Sequence, residues 1–565
     1  MKNTIEEKVL ISIIILFLFQ AVVSCRSNSV DDHVESGSAS IKITFFGADY
    51  EKENIDIVAS ARKGNNIASE SEQVQFIPLE KSDNYMLKAT LVPDNSSNQI
   101  KSKAQISSRT NPLASVETAT LKSGIKYKLI VYDAKGKYIQ EEECTSGQVG
   151  LQIDKLNGGG TYTFVVYSTG SNTDLPSVSY LDTSKKTLDT AILKDVSGEN
   201  DLMFFSKTLT LTGEGMNYLD IVLKHRFSQI VATLDASPTL NYTIYKVSDV
   251  TISPHSERVN MQLSNGNITN TGLAVNRMLN FPSTDSKIIT SAPVVINSDN
   301  TTSGIFTIGS VTLKFYDPLQ ITHQNIKLNN LKISRGVKYN LKLSFVPNDK
   351  YLTYRGYPAV RINGVILMRH NLGANYLSDP DSPSQDIVGN YYQWGKNKVV
   401  ATGATGNSAI PGWDATNNST TNAWMPNKNE EMPNKSVSND PCPLGWRVIA
   451  PRDINAIRAS SNYSYSGNLE SSKPGLAIGI LTSKFNSAIK ITFPFGGFRE
   501  FDNGRFPSTN YTEGVYWQSV DYGSDSDLRP GFLVTNKEKV RGFSINQSSV
   551  SRRGMSVRCV AEYPY

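Results

Sequence analysis

Short stretches of alternating apolar and polar residues dominate the chain from about Ala39 onward. In the first stretch the apolar residues Ile41, Ile43 and Phe45 are each separated by a single residue. The same alternation recurs in Tyr85–Leu91 and in 161–167, and turn-forming glycines separate the stretches. A period of two is typical of a half-buried β-strand, and long stretches with the helical period of 3.6 are missing. The pattern predicts a β-sandwich over residues 39–175.

A second block of the same kind covers residues 176–348, with alternating stretches at 218–223, 304–308 and 338–345. No repeat of fixed period relates the two blocks. The composition then changes, because all five tryptophans fall in the last third of the chain: Trp394, Trp413, Trp424, Trp446 and Trp517. We therefore expect a mainly β protein with two tandem β-sandwiches, followed by a domain of a different kind at 349–565.

The N-terminus carries an almost unbroken apolar run from Val9 to Phe19, followed by Val22-Val23-Ser24-Cys25. The run has the length of a secretory signal, about 7–15 residues, whereas a membrane-spanning helix needs about 20. The segment resembles a bacterial lipoprotein signal peptide, which implies cleavage after residue 24 and acylation of Cys25. An uncleaved membrane anchor is the alternative. Residues 25–38 are small and polar and predict a flexible tether.

Charge and motif content argue against several classes of function. The chain has 57 basic and 52 acidic side chains, a net charge of +5, which gives no electrostatic case for binding nucleic acid. Its five histidines are scattered without metal-ligand spacing, and no nucleophile elbow or phosphate-binding loop occurs. We expect neither an enzyme nor a bound cofactor. His225 is expected to cap a strand rather than to bind a ligand.

Four segments of the two blocks carry a resemblance: Gly124–Asp133 with Gly136, Asp201-Leu202-Met203, 223–227 and 336–339. Through these segments, residues 39–348 resemble the fimbrillin family of Bacteroides-type bacteria. The resemblance implies two successive β-sandwiches, export as a lipoprotein and assembly into surface fimbriae. In that family, proteolysis after a basic residue opens a groove that a strand of another subunit fills, a form of β-augmentation.

The last third contains an ordered series of segments: Met368, Asn371–Ala374, Gly389–Gly395, Asp440–Val448, Gly497–Arg499, Gly514–Trp517 and Ser556–Val560. Through this series it resembles the Fibrobacter major paralogous domain, which is related to C-type-lectin-like folds. The resemblance implies an α+β, lectin-like head over residues 349–565. Within it, Pro451 suits a first helical turn, and Ile454 and Ile457 form an apolar stripe. This pattern predicts a short helix at about 451–460.

Four cysteines occur in the chain, and none forms a CxxC pair. Cys25 belongs to the signal sequence. In an oxidising compartment Cys442 and Cys559, which both lie in segments that resemble the head family, are the candidates for a disulfide. Cys144 is then left over, and a buried free thiol is its simplest interpretation.

Two kinds of residue are candidates for ligand contact in the head. Trp413 and Trp424 lie in a long polar stretch, so an exposed ring there could bind a ligand such as a glycan. Two acidic clusters could in principle hold calcium, which needs about six to eight oxygen ligands. These clusters are Asp379, Asp381 and Asp386, and Asp521, Asp525 and Asp527. Solvated loop carboxylates are the favoured interpretation of both.

The leading hypothesis is a fimbrial tip subunit with a ligand-binding head, exported to the outer membrane and cell surface as a lipoprotein. Its expected partners are other fimbrial subunits, through strand exchange, and a glycan or protein on another surface. The expected processing site is Arg62 in the polar stretch after the first strand, and Arg109 is the second choice. The alternative is a lipid-anchored surface protein that binds glycan or peptide and never joins a fimbria.

Overall fold

The computed structural model describes residues 37–52, 72–80, 82–95 and 121–562, apart from gaps at 214, 240–241, 284, 317–318, 417–418, 428, 430–432, 508–511, 521–527 and 536–542. The expected signal peptide, Cys25 and both expected processing sites, Arg62 and Arg109, lie outside the described residues. So do Asp521, Asp525 and Asp527.

The described chain is mainly β, as the alternating pattern predicts. Strands β1 to β11 are Ser38–Asp49, Gln73–Leu79, Ser82–Pro93, Lys126–Asp133, Tyr138–Thr145, Gln152–Asn157, Thr161–Ser168, Val178–Ser179, Ile192–Ser197, Met203–Thr210 and Asn217–His225. Strands β12 to β22 are Ser228–Asp235, Thr243–Gln262, Ile268–Met278, Ile288–Thr290, Val294–Ile296, Thr301–Tyr316, Leu319–Ile333, Lys338–Pro347, Lys350–Tyr354, Tyr357–Ile362 and Val365–Met368. Strands β23 to β33 are Asn390–Tyr392, Val399–Thr402, Trp446–Val448, Ser461–Gly467, Ala477–Ser483, Lys490–Pro494, Glu513–Trp517, Leu528–Thr535, Phe543–Val550, Met555–Ser556 and Cys559–Ala561.

Helical structure is scarce in the same residues. The single α-helix of the described chain, α1, is Pro451–Ala459. Three short 3-10 helices are Leu188–Thr190, Ser237–Thr239 and Gln385–Ile387.

Sheet 1 has the strand order β5-β4-β7-β10-β11-β1-β6. It is covered on both faces, because alternate residues of one strand enter different cores. In β4, Leu129 and Val131 pack into one hydrophobic core, while Ile130 and Tyr132 pack into another that also contains Val259 of β13. Sheet 1 therefore encloses a core of its own on one face and packs against β13, a strand of another sheet, on the other.

Sheets 2 and 3 pack face to face and form a β-sandwich. Sheet 2 has the order β15-β12-β19-β3-β2, with β16 also paired to β12, and sheet 3 has the order β18-β17-β13-β9-β8, with β14 also paired to β13. Their facing residues share one core, to which sheet 2 contributes Leu87 and Leu341 and sheet 3 contributes Ile252 and Phe306. All four side chains are fully buried or nearly so.

The expected boundary between residues 175 and 176 does not separate the sheets. Strands β10 and β11, which follow that boundary, lie in sheet 1, while β2 and β3, which precede it, lie in sheet 2. The correction has a physical reason. Alternation shows that a stretch has a buried face, but the partner of each strand is set by contacts between residues far apart in the chain.

The head, residues 349–562 of the described chain, contains sheet 4 (β20-β21-β22-β33-β25), sheet 5 (β24-β23-β32-β29-β30-β31) and sheet 6 (β26-β27-β28). The helix expected at 451–460 is confirmed as α1, and both stripe residues, Ile454 and Ile457, are fully buried. The disulfide between Cys442 and Cys559 is also confirmed, with 5.9 Å between the Cα atoms. The lectin-like classification of the head stays a prediction.

Removal of the disulfide should destabilise the head selectively. The bond closes a loop with a sequence separation of 117, and in the chain-entropy model such a loop contributes about 4–5 kcal/mol. We expect Cys559→Ser in the full chain to lower the midpoint of thermal unfolding for the head. Hydrogen exchange that is faster in 350–562 but unchanged in 121–347 would locate the effect. An unchanged melting curve under oxidising conditions would contradict this expectation, and reduced wild-type protein is the matched control.

Candidate functional site

The first strand occupies an interior position in sheet 1. It pairs in parallel with β11, from Ile41 opposite Asn217 to Asp49 opposite Lys224, and antiparallel with β6. Its buried apolar side chains, which are at most 7% exposed, belong to the core of sheet 1: Ala39, Ile41, Ile43 and Ala48. Loss of this strand would leave unpaired backbone groups on both neighbours and a row of empty apolar positions.

The residues after β1 contact the junction between the first sheet and the second sandwich. Tyr50 stacks on the ring of His225, with 3.7 Å between ring centroids and 5° between planes. The Nδ1 atom of His225 lies 2.6 Å from the Oδ1 atom of Asp201. Burial, and secondarily the charge of Asp201, raise the pKa of Tyr50. His225 ends β11, as expected of a capping residue, but its ring also binds the chain segment that follows β1.

One residue further on, the chain reaches the turn that leads into sheet 2. The backbone N–H of Glu51 donates to the carbonyl oxygen of Gly336 at 2.8 Å, and Glu51 forms an isolated parallel bridge with Val337. Gly336 has a φ of 74°, and a Cβ atom there would lie 2.8 Å from the carbonyl oxygen of His225. The close approach of the two chain segments therefore requires glycine at this position.

Trp413 and Trp424, the candidate ligand contacts, lie in different surroundings. Trp413 is half-buried and packs against Gly504, and its indole N–H donates to the carbonyl oxygen of Phe501 at 3.1 Å. Trp424 is fully buried beside Trp394, with 5.4 Å between ring centroids. The expectation that Trp424 is exposed for ligand contact is wrong, since its ring packs in the core of the head. Trp413 stays a candidate.

The first acidic cluster uses its carboxylates within the protein. Asp381 pairs with Arg369 at 2.8 Å and with Lys490 at 3.5 Å, and Asp379 accepts a hydrogen bond from the hydroxyl of Ser382. Among the described residues, no group of three or more His, Cys, Asp or Glu side chains is placed to hold a metal ion. Within the same ranges, no helix is long and apolar enough to cross a membrane.

Cys144 is a free, buried thiol on β5, as expected. Burial raises its pKa to about 12. The thiol is therefore protonated at neutral pH and behaves as a small apolar side chain.

The last strand, β33, is held in the interior of the head by more than the disulfide. The guanidinium of Arg558, the residue before Cys559, is fully buried and donates to neutral oxygens. These are Oδ1 of Asn371 at 2.7 Å and the carbonyl oxygens of Met368 at 3.0 Å, Arg369 at 2.9 Å and Thr492 at 2.8 Å. Burial lowers the pKa of Arg558 to about 10, so the group stays charged at neutral pH.

A buried lysine organises the loop on the other side of the disulfide. The ammonium of Lys435 donates to the carbonyl oxygens of Cys442, Pro443 at 2.9 Å and Trp446 at 2.7 Å, and it lies 3.9 Å from the Asp440 carboxylate. Asp440 accepts the backbone N–H groups of Cys442 at 2.8 Å and Val448 at 2.9 Å. The alternating pattern carries no signal for such a residue, because only the folded loop brings these carbonyl groups together.

Comparisons with known proteins add likenesses at low identity. No protein-family model matches the chain, and no curated protein is similar to it at a significant level. Among solved structures, the fimbrial anchor protein Mfa2 from Porphyromonas gingivalis is 9% identical, covers 43% of this chain and 93% of its own, and has a TM-score of 0.25. A fimbrial assembly protein from Parabacteroides distasonis is 12% identical, covers 43% of this chain and 87% of its own, and has a TM-score of 0.26. At these values the likenesses carry no argument about function, which rests on the geometry of the chain itself.

Asp440 should make the stability of the head depend on pH. Burial raises its pKa to about 6, above the value of 3.8 for the free group, so the folded head binds a proton that the unfolded chain has released. Stability from this group is therefore present below about pH 4 and is lost as the pH rises through about 6, by up to about 3 kcal/mol. We expect Asp440→Asn to flatten the dependence of the head's unfolding free energy on pH between 4 and 7. An equally steep dependence in the variant would contradict this, and Asp386→Asn at a more exposed position is the matched control.

Proposed function

We propose that the chain is a fimbrial subunit of the cell surface, at the tip of the fimbria, which exchanges its first strand for a strand of another subunit. The observation that carries the proposal is the position of β1. The strand is interior in sheet 1, with backbone partners on both sides, yet it is joined to the rest of the described fold at one end only.

A single cut between β1 and β2 would release β1 without breaking any other strand of the described residues. Strand β1 ends at Asp49 and β2 begins at Gln73, and the basic pair Arg62-Lys63 lies between them in the sequence. The groove left behind would expose apolar positions and unpaired backbone groups, a combination that favours the addition of another strand.

The topology favours Arg62 over Arg109 as the processing site. A cut at Arg109 would leave β1 covalently joined to β2 and β3, and β3 is interior in sheet 2 between β19 and β2. Release of that fragment would remove strands from two sheets. A cut at Arg62 separates β1 from strands that stay in place.

The C-terminal part of the chain supports a position at the end of the fibre. Strand β19, the last of sheet 2, lies between β12 and β3 and continues directly into the head, and β33 lies between β22 and β25 and carries the disulfide. Neither strand is free to pair with another subunit. A subunit that accepts a strand but donates none would cap the growing fibre.

The remaining parts of the proposal come from the sequence. The N-terminal apolar run and Cys25 support export as a lipoprotein to the outer membrane. The head would bind a glycan or protein on another surface, with Trp413 as the candidate contact. We assign no catalytic activity and no cofactor to the chain.

Processing can be tested in cells that assemble the protein. We expect the form that is present in fibres to begin at Lys63, as measured by N-terminal sequencing. Arg62→Ala with Lys63→Ala should prevent both the cut and incorporation, because β1 then keeps the groove filled. Arg109→Ala is the matched control and should change neither.

Two outcomes would contradict the proposal. If surface protein keeps an acylated Cys25 and is absent from fibres, the chain is a lipid-anchored surface protein instead. If immunogold labelling is spread evenly along fibres rather than at their ends, the assignment to the tip is wrong.

A further inference from the structure

The contacts of the first strand continue past sheet 1 to the second sandwich. We infer that the exchange site has two parts, a groove in sheet 1 and an aromatic clamp where sheets 1 and 2 meet, and that its partner is a strand that fills both and carries an aromatic residue near its C-terminal end. This inference rests on the proposed strand exchange and specifies the partner that the site accepts.

The groove selects direction and side-chain size. The resident strand runs parallel to β11, so an incoming strand that restores the same ladder must run in that direction. It places a small side chain at Ala39 and branched side chains at Ile41 and Ile43 into the core. A strand with a charge at either isoleucine position would bury that charge among apolar groups, at a high cost in free energy.

The groove also contains a bulge that narrows the choice of partner. The register with β11 shifts between Phe45 and Gly47, which leaves Phe46 as an extra residue, 44% exposed. Gly47 is buried with a φ of 118°, a conformation that other residues rarely adopt, and Ala48 after it is 1% exposed. A fitting strand therefore has an aromatic residue at the position of Phe45, then one extra residue, then glycine and a small residue at the positions of Gly47 and Ala48.

The clamp begins where the groove ends. Asp49 pairs with Lys224 at 2.8 Å, and Tyr50 stacks on His225, which Asp201 holds in place. Lys224 and His225 are the last two residues of β11, so the clamp is built from the same strand that lines the groove. It accepts an acidic residue followed by an aromatic residue.

The clamp joins two sheets. The backbone of Glu51 binds Gly336 and Val337, directly before β19 of sheet 2, while Tyr50 binds the end of β11 in sheet 1. Only a strand that extends past Gly47 by at least four residues, as far as the position of Glu51, can make both sets of contacts. The partner is therefore an extended segment with the order small, branched, branched, aromatic, one extra residue, glycine-small, acidic, aromatic, followed by at least one further residue. A shorter strand would fill the groove but would lack the contacts that Tyr50 and Glu51 make with His225, Gly336 and Val337.

Peptide binding to the processed protein tests this specificity. The full chain is cut with trypsin, the released β1 fragment is removed, and labelled synthetic peptides are titrated by fluorescence anisotropy. A peptide of residues 38–52 should bind, and an Ile43→Asp peptide should not. A Tyr50→Ala peptide and a peptide that ends at Ala48 should each bind about tenfold more weakly, as expected for loss of a stacked ring and its neighbours. A Thr44→Ala peptide, changed at an exposed position, is the matched control and should bind like the parent.

The outcomes separate the two proposals. If the peptide that ends at Ala48 binds as tightly as the parent, the clamp is not part of the site and the inference is overturned while strand exchange survives. If the parent peptide and all variants fail to bind, strand exchange at this groove is wrong.

The clamp can also be measured in the uncut chain, independently of any exchange. We expect Tyr50→Ala to accelerate amide hydrogen exchange at Glu51 and in residues 336–338 by about tenfold, because the stack holds this segment in place. Tyr218→Ala is the matched control, since Tyr218 lies on the same strand β11 but is 61% exposed. Unchanged exchange in Tyr50→Ala would overturn the clamp.

Discussion

The hydrogen bonding of β1 on both of its edges is the constraint on which the architecture of the N-terminal two thirds depends. An interior strand must be matched in length, direction and side-chain size by its neighbours, and β1 meets these conditions with β11 on one side and β6 on the other. From β1 the chain passes to β2 and β3 in sheet 2 before it returns to build the rest of sheet 1. The two sandwiches are thus interleaved, and each holds strands from both sides of the expected boundary between residues 175 and 176.

If β1 is exchanged as proposed, this interleaving would have a functional consequence. In the proposed exchange the strand that leaves would be β1, which is interior in sheet 1, so its loss would leave unpaired backbone groups on both β11 and β6. The same segment fastens the junction through Tyr50 and Glu51. The identity of the replacement strand would therefore affect the junction between the sandwiches as well as the filling of the groove.

The last strand of the head, β33, is held in place by several kinds of contact. Strand β33 is held by the disulfide, by the buried Arg558 and, through the loop of Cys442, by Lys435. A buried cation is costly unless its hydrogen-bonding groups are satisfied. Arg558 meets that condition with the amide oxygen of Asn371 and with main-chain carbonyl groups that belong to separate segments of the head. The network holds β33 in place in the interior of sheet 4.

The sequence by itself determined the features that depend on residues close together in the chain. The period of two at Ile41, Ile43 and Phe45 predicts a strand with one buried face, and Pro451, Ile454 and Ile457 predict the helix that is observed as α1. The disulfide could also be predicted from the sequence, since Cys442 and Cys559 are the two cysteines that lie in segments resembling the head family. These features rest on local backbone preferences or on a very small number of cysteines.

Only the tertiary structure decided the features that depend on contacts between distant residues. Trp424 lies in a polar stretch, yet its ring packs against Trp394 inside the head, because burial depends on the folded loop rather than on the residues beside it. The same holds for the sheets, since β10 and β11 follow residue 176 but lie in sheet 1, while β2 and β3 precede it but lie in sheet 2. The stack of Tyr50 on His225 likewise joins segments that are remote in the chain. Alternation reports that a residue is buried, but it carries no information about which distant residue buries it.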